Sequence, residues 1–144
     1  MKIVNQQKER KVYFNGKFVP ESEAKVSIYD SSLMFGDMVF EMTRSFNGVQ
    51  WKLREHLERL YSGIKILRIP LKMSIDEMED ACYQTIEANK PAFDVDDEHR
   101  LMIDVTRGLL SIYHGIDVDH KGANVIISDF PLRWTIQGCS GLYE

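Results

Sequence analysis

The chain has 144 residues, 44% hydrophobic and 28% charged, with 18 Lys+Arg against 22 Asp+Glu and a formal net charge of −4. Those values describe one soluble globular domain, or one domain with part of another, and exclude collagen-like, mucin-like and disordered chains. The lack of basic excess argues against nucleic acid as a partner. No run approaches the roughly 18 apolar residues of a membrane helix, and the polar segment 1–11 lacks the apolar core of a signal peptide. Two cysteines, Cys82 and Cys139, are too few for a disulfide framework, so a reducing, cytoplasmic setting is expected.

In chain order, Asn15-Gly16 separates the apolar runs Val12-Tyr13-Phe14 and Lys17-Phe18-Val19, and Pro20 ends the second. Asn-Gly between such runs predicts a hairpin, because both turn residues must take positive φ. Residues 24–28 alternate and read as a further short strand, and 29–37 read as a loop or short turn ending at Gly36-Asp37. Residues 38–46 alternate as a strand, with Asn47-Gly48 turning it back onto Val49-Gln50-Trp51. The period then changes. Leu53, His56, Leu57, Leu60, Tyr61, Ile64 and Leu67 form one helical stripe, closed by Pro70. A second helix starts at Ser74, which with Glu77 makes a capping box, and carries Ile75, Met78, Cys82 and Ile86 before Asn89 and Pro91 end it. Residues 94–98 form an acidic loop, 101–105 and 124–127 read as strands, and 131–144 show no periodicity. Hairpins followed by two helices and two more strands predict an α+β fold with an antiparallel sheet.

Spacing alone completes no active site. His56, His99, His114 and His120 are scattered without partners at metal-ligand spacing, so no metal site is expected. Neither a GxGxxG or Walker pattern nor a G-x-S-x-G elbow is present. His56 lies on the helical stripe, as a half-buried histidine or a ligand. Arg59 follows Glu55 by one turn. The two form either a surface ion pair worth a few tenths of a kcal/mol or, through Arg59, an anion clamp, because a guanidinium matches phosphate geometry bidentately.

Together the motifs form a specific series. Tyr13-Phe14-Asn15-Gly16 with Val19, Ala24-Lys25-Val26-Ser27, Asp30, Leu33, Phe35-Gly36-Asp37-x-Val39-Phe40-Glu41-x-x-Arg44 and Glu55-His56-Leu57-x-Arg59-Leu60-x-Ser62 resemble class IV aminotransferases. These fold-type-IV pyridoxal-phosphate enzymes include branched-chain and D-amino-acid aminotransferases, (R)-selective amine transaminases and aminodeoxychorismate lyase. The resemblance covers about residues 12–132 and implies a two-domain protomer that forms a homodimer, with pyridoxal 5'-phosphate between the domains. It divides the chain into an arm (1–11), the smaller N-terminal domain (12–130) and an interdomain linker (131–144), the second domain being missing. It implies transfer of an amino group between an amino acid or amine and a 2-oxo acid. A lyase of the aminodeoxychorismate type, or a free-standing non-catalytic domain that dimerises or binds a phosphorylated ligand, are the alternatives.

Residue by residue, the resemblance assigns Arg59 to the cofactor phosphate and Phe35, Phe40 and Arg44 to the substrate pocket, with Arg44 alternatively a surface partner of Glu41. Aligned on Gly108, Met102 stands where branched-chain enzymes carry an arginine, and Val105-Thr106-Arg107-Gly108 looks more like the D-amino-acid and (R)-amine branch. Arg107 and His114 are therefore carried as substrate-side candidates, although Ile112 occupies the place of the arginine that would accompany His114. The family's Schiff-base lysine has no counterpart, since Lys121 matches no family motif. No catalytic residue is assigned within the chain, the lysine is expected beyond Glu144, and these 144 residues alone are not expected to transaminate.

Overall fold

The computed structural model describes residues 8–118 and 120–142. Its elements are β1 (Lys11–Phe14), β2 (Lys17–Pro20), α1 (Ser31–Phe35), β3 (Met38–Phe46), β4 (Val49–Gln50), α2 (Leu53–Leu67), α3 (Ile75–Asn89), β5 (His99–Thr106), β6 (Asn124–Pro131) and α4 (Leu132–Cys139). The strands form one antiparallel six-stranded sheet in the order β2-β1-β6-β5-β3-β4. Both hairpin turns take the expected backbone: Asn15 and Gly16 at φ 50° and 88°, Asn47 and Gly48 at 50° and 76°.

Alternation along the strands sets the layers. Leu101, Ile103 and Val105 of β5 and Val125 and Ile127 of β6 point to the side where Leu57, Leu60 and Ile64 of α2 and Met78, Cys82 and Ile86 of α3 close the core. The opposite face carries Phe40, Met42 and Arg44 of β3 beside Asp104, Met102 and Arg100 of β5, in that register. Phe40 and Met42 remain 54% and 37% exposed there. Among the described residues α4 meets this face at one end, where Arg100 Nη1 donates to Thr135 Oγ1 at 2.6 Å.

The helix count exceeds the two expected. The segment 29–37, expected as a loop or short turn, contains the five-residue α1. Asp30 caps it by accepting the Ser32 N–H at 2.8 Å, and Gly36 ends it at φ 69°. Residues 24–28, expected as a strand, pair with no strand among the described residues and run as a connector into this cap. Their course is set by Asp30, which is buried and accepts from Thr106 Oγ1 (2.9 Å) and Asn124 Nδ2 (2.6 Å), so the segment is anchored without extending a ladder. The tail 131–144, read as irregular, holds α4, a helix of eight residues that buries no residue and starts without a side-chain cap, so no start signal announces it. Arg133 ties α4 to Asp94 at 2.7 Å. Most of the expected arm, residues 1–7, lies outside the described residues, but Ser22 N–H bonds Glu9 at 2.9 Å and Arg10 pairs with Glu21, so those two residues belong to the fold.

This packing sets the cost of substitutions in the core and at the β5 end. Leu57 is fully buried between α2 and the sheet, so Leu57→Ala should cost about 2–5 kcal/mol in denaturant unfolding. Gly108 sits at φ +79°, and a Cβ there would lie 2.1 Å from the Gly122 carbonyl oxygen. Gly108→Ala is therefore expected to lower the melting temperature more than Gly115→Ala, which meets nothing within 4 Å.

Asp104 makes the open face pH-sensitive. Burial pushes its carboxyl up to about 6, and its Oδ1 has no hydrogen-bond partner among the described residues. The unfolded chain releases this proton near pH ~4, the folded chain near 6, so stability falls as pH rises across that window and levels off above it. Asp104→Asn should be more stable than wild type at pH 7.5, by about 1 kcal/mol because part of the side chain reaches solvent. Melting curves should show that advantage vanishing below pH ~4.

Candidate active site

Strand β4 pairs only Ser45 and Phe46 of β3, leaving the rest of β3 as a sheet edge alongside α2. Glu41 points from this strand toward α2 and is 5% exposed. Its Oε2 accepts from Arg59 Nη2 at 2.7 Å and from His56 Nδ1 at 2.7 Å, while its Oε1 accepts from Arg59 Nε. The Arg59 hydrogen bonds, seconded by His56, hold the Glu41 carboxyl below its ordinary value despite burial, so it is an ionised acceptor. His56 and Arg59 lie three apart on one helix face, and this spacing lets one carboxylate bridge both. His56 is thus a half-buried histidine with a carboxylate partner, and Arg59 bonds Glu41 across the fold rather than Glu55 along the helix.

The Arg59 side chain nevertheless stays 73% exposed. Glu41 engages Nε and one Nη2 proton, so of the five guanidinium N–H groups those on Nη1 and the outer one on Nη2 are left facing solvent. An exposed, bidentately braced guanidinium with donors to spare is chemically suited to a phosphate.

On the other face of β3, Arg44 and Arg100 stand directly opposite each other. Arg44 lies 3.8 Å over the Phe46 ring and Arg100 4.7 Å over Phe130. Arg44 Nε donates to the Ser45 carbonyl at 3.0 Å, and neither guanidinium has a carboxylate partner among the described residues. Glu41 and Arg44 are three apart on the strand and point to opposite faces, so the expected alternative of a Glu41–Arg44 pair is not formed. Arg44, Arg100, Trp51 and His56 line a pocket of about 250 Å³. A larger cavity of about 770 Å³ lies beyond the sheet against α3, between Tyr13, Leu71 and Gln84, and shares none of these residues.

The remaining candidates are placed less centrally. Phe40 is exposed on the open face, opposite Asp104, and Phe35 is exposed at the end of α1. Arg107 is committed to the fold: its Nη2 donates to the Leu67 carbonyl at 2.6 Å, its Nη1 to the Arg68 carbonyl at 3.0 Å, and it pairs with Asp37. It thereby binds the end of α2, where carbonyls lack helical partners. His114 is exposed, with Nε2 donating to the Leu109 carbonyl at 3.1 Å. Among the described residues no group of three or more His, Cys, Asp or Glu is placed to hold a metal.

Sequence patterning missed three members. Glu41 entered only as a motif residue and as an alternative partner of Arg44, and Arg100 and Asp104 carried no role. The signal available was parity: 40, 42 and 44 share a face, and so do 100, 102 and 104, but which faces meet depends on the β3–β5 register.

Comparison with known proteins identifies the family. The family model for amino-transferase class IV matches residues 38–138. The chain is 38% identical over 82 residues to the branched-chain-amino-acid aminotransferase of Escherichia coli strain K12, covering 54% of this chain and 26% of that protein. It is 35% identical over 98 residues to the D-alanine aminotransferase of Bacillus licheniformis, covering 68% of this chain and 33% of that protein. The solved branched-chain aminotransferase of the thermophilic archaeon Thermoproteus uzoniensis, with norvaline, superposes with a TM-score of 0.70 at 31% identity, over 85% of this chain and 41% of that one. The chain thus spans well under half the length of these proteins. The family-model match over most of the chain, on a sheet and helix arrangement shared with that solved structure, makes this chain a member of the class IV aminotransferases.

Proposed function

We propose that this chain supplies the phosphate-gripping and substrate-facing part of a pyridoxal-phosphate-dependent aminotransferase. The observation that carries the reading is Arg59, braced by buried Glu41 yet 73% exposed. A structural ion pair has no need of free donors, whereas a phosphate ligand does. When bound, pyridoxal 5'-phosphate supplies the electron sink for amino-group transfer between an amino donor and a 2-oxo acid.

The residues of this chain bind and orient. Arg59 meets the phosphate with charge and a planar fork. Phe40 on the open face and Phe35 at the end of α1 offer apolar surface to a substrate side chain. Arg44, backed by Arg100 across the strands, turns positive charge toward the substrate side. Arg107 anchors Asp37 and the end of α2, fixing the approach to β3, and His114 holds the loop that follows β5 through Leu109. Met102 beside Met42 keeps the middle of the face apolar, which supports a hydrophobic substrate side chain. On this reading the lysine that holds the cofactor covalently lies outside these 144 residues, the homodimer follows from the family resemblance, and the cytoplasmic setting from the few cysteines.

The test uses the full-length gene product. It should transfer amino groups from branched-chain L-amino acids or from D-alanine to a 2-oxo acid, measured by the oxo acid released. Arg59→Ala should weaken pyridoxal-phosphate binding about ten- to hundredfold, the scale of hydrogen bonds to charged groups, and Arg59→Lys should recover only part of it because an ammonium cannot reproduce the fork. Unchanged cofactor affinity in Arg59→Ala overturns the reading.

A further inference from the structure

We propose that Glu41 is the positioning residue for the phosphate grip: its carboxylate, clamped between Arg59 and His56, fixes which edge of the Arg59 guanidinium faces the ligand. The inference rests on the phosphate reading of Arg59 and assigns a role to the carboxylate buried behind it.

The geometry separates this from a plain buried counter-ion. Arg59 is a long side chain at the surface of α2 and would sample many rotamers if left alone. Glu41 meets it edge-on with two oxygens, one on Nε and one on Nη2, the arrangement that fixes a planar fork in both position and tilt. Glu41 itself is held twice over. It sits on a core-facing position of β3 with 5% exposure, and His56, one turn before Arg59, bonds through Nδ1 to the same Oε2 that accepts from Arg59 Nη2. Strand and helix therefore fix the carboxylate, the carboxylate fixes the guanidinium, and the Nη1 end is presented outward. With His56 neutral, the charges of Glu41 and Arg59 cancel; with His56 protonated, the group carries a net positive charge. In either state the positive end of the Arg59 fork faces solvent and the negative group lies behind it. A dianion approaching from solvent meets donors first.

The experiment measures dissociation constants of the full-length apoprotein for pyridoxal 5'-phosphate and for pyridoxal, by absorbance. The preference for the phosphorylated ligand isolates the phosphate grip from everything else that holds the ring. Glu41→Gln replaces one acceptor oxygen by an amide that cannot face an arginine N–H. It should lower that preference about tenfold, the scale on which losing an outer-shell partner weakens a held group, with pyridoxal affinity unchanged. His56→Asn should lower the preference less. If Glu41→Gln does not fold, the half-buried His56→Asn variant decides: a lowered preference supports the role and an unchanged one overturns it. A preference unchanged in Glu41→Gln but lowered in Arg59→Lys overturns the positioning role and leaves the phosphate reading intact. Equal losses for both ligands, the mark of general damage, also overturn it. A preference unchanged in Arg59→Ala removes the phosphate reading itself, and this inference with it.

Discussion

Strand β3 has to serve two environments at once. Its odd-numbered residues Glu41, Thr43 and Ser45 are buried toward the helices, and its even-numbered residues Phe40, Met42 and Phe46 face outward in the open. Ordinarily the helix-facing side of such a strand would be apolar. Here it is polar over three successive inward positions, and each is satisfied: Glu41 by Arg59 and His56, Thr43 by Gln50 at 2.7 Å, and Ser45 by Glu98 with the His99 N–H at 2.8 Å. The apolar core is shifted to β5 and β6, under the stripe of α2 and α3. A buried ionised carboxylate is costly unless it is paired and hydrogen-bonded, so the position of α2 against β3 is fixed by chemistry as much as by packing.

That constraint reaches the ends of the strand. Where β3 begins, the α1 segment is moored by Asp30, which joins its own helix cap to Thr106 of β5 and Asn124 of β6. Arg107 ties the same region to the last carbonyls of α2. Beside it Gly108 permits a backbone approach to Gly122 that no side chain would allow. Where β3 ends, Glu98 accepts the Asn47 N–H at 2.5 Å and caps the hairpin turn. The strand that carries the family motif is thus restrained at both ends and along its inner face, while its outer face stays open for a ligand or a further domain. A site set on a rigid strand and helix holds its geometry better than one set on loops.

The exposed face balances opposing charges. Two arginines stand at one end of it and a carboxylate whose proton is retained to about pH 6 stands at the other, separated by the paired methionines Met42 and Met102. Like charges opposite each other on a sheet are unfavourable, and stacking over Phe46 and Phe130 spreads but does not cancel the arginine charges. The aromatic support holds both guanidiniums close to the sheet, where an anion brought to the pocket would meet them together.

Much of the architecture was legible in the sequence because it is locally encoded. The two Asn-Gly turns need positive φ, the α2 stripe repeats at helical period, and the Ser74–Glu77 box caps α3 through neighbours three residues apart. Arg59 could be named because it sits in a spaced series with family specificity. What failed locally was decided at long range. Residues 24–28 alternate like a strand but gain no partner strand, since Asp30 anchors the segment to β5 and β6 instead. α4 is eight residues long, starts without a capping side chain and buries nothing, so its ends carry no local signal. Above all, the partner of Arg59 is 18 residues away on another element, not the glutamate one turn before it. The sequence determined most of the helices and strands and which arginine sits in the spaced family series, because those depend on nearest neighbours. Only the tertiary structure decided that Glu41, His56 and Arg59 share one carboxylate and that Arg44 and Arg100 stand side by side, because strand register and helix docking are set by burial of the whole sheet.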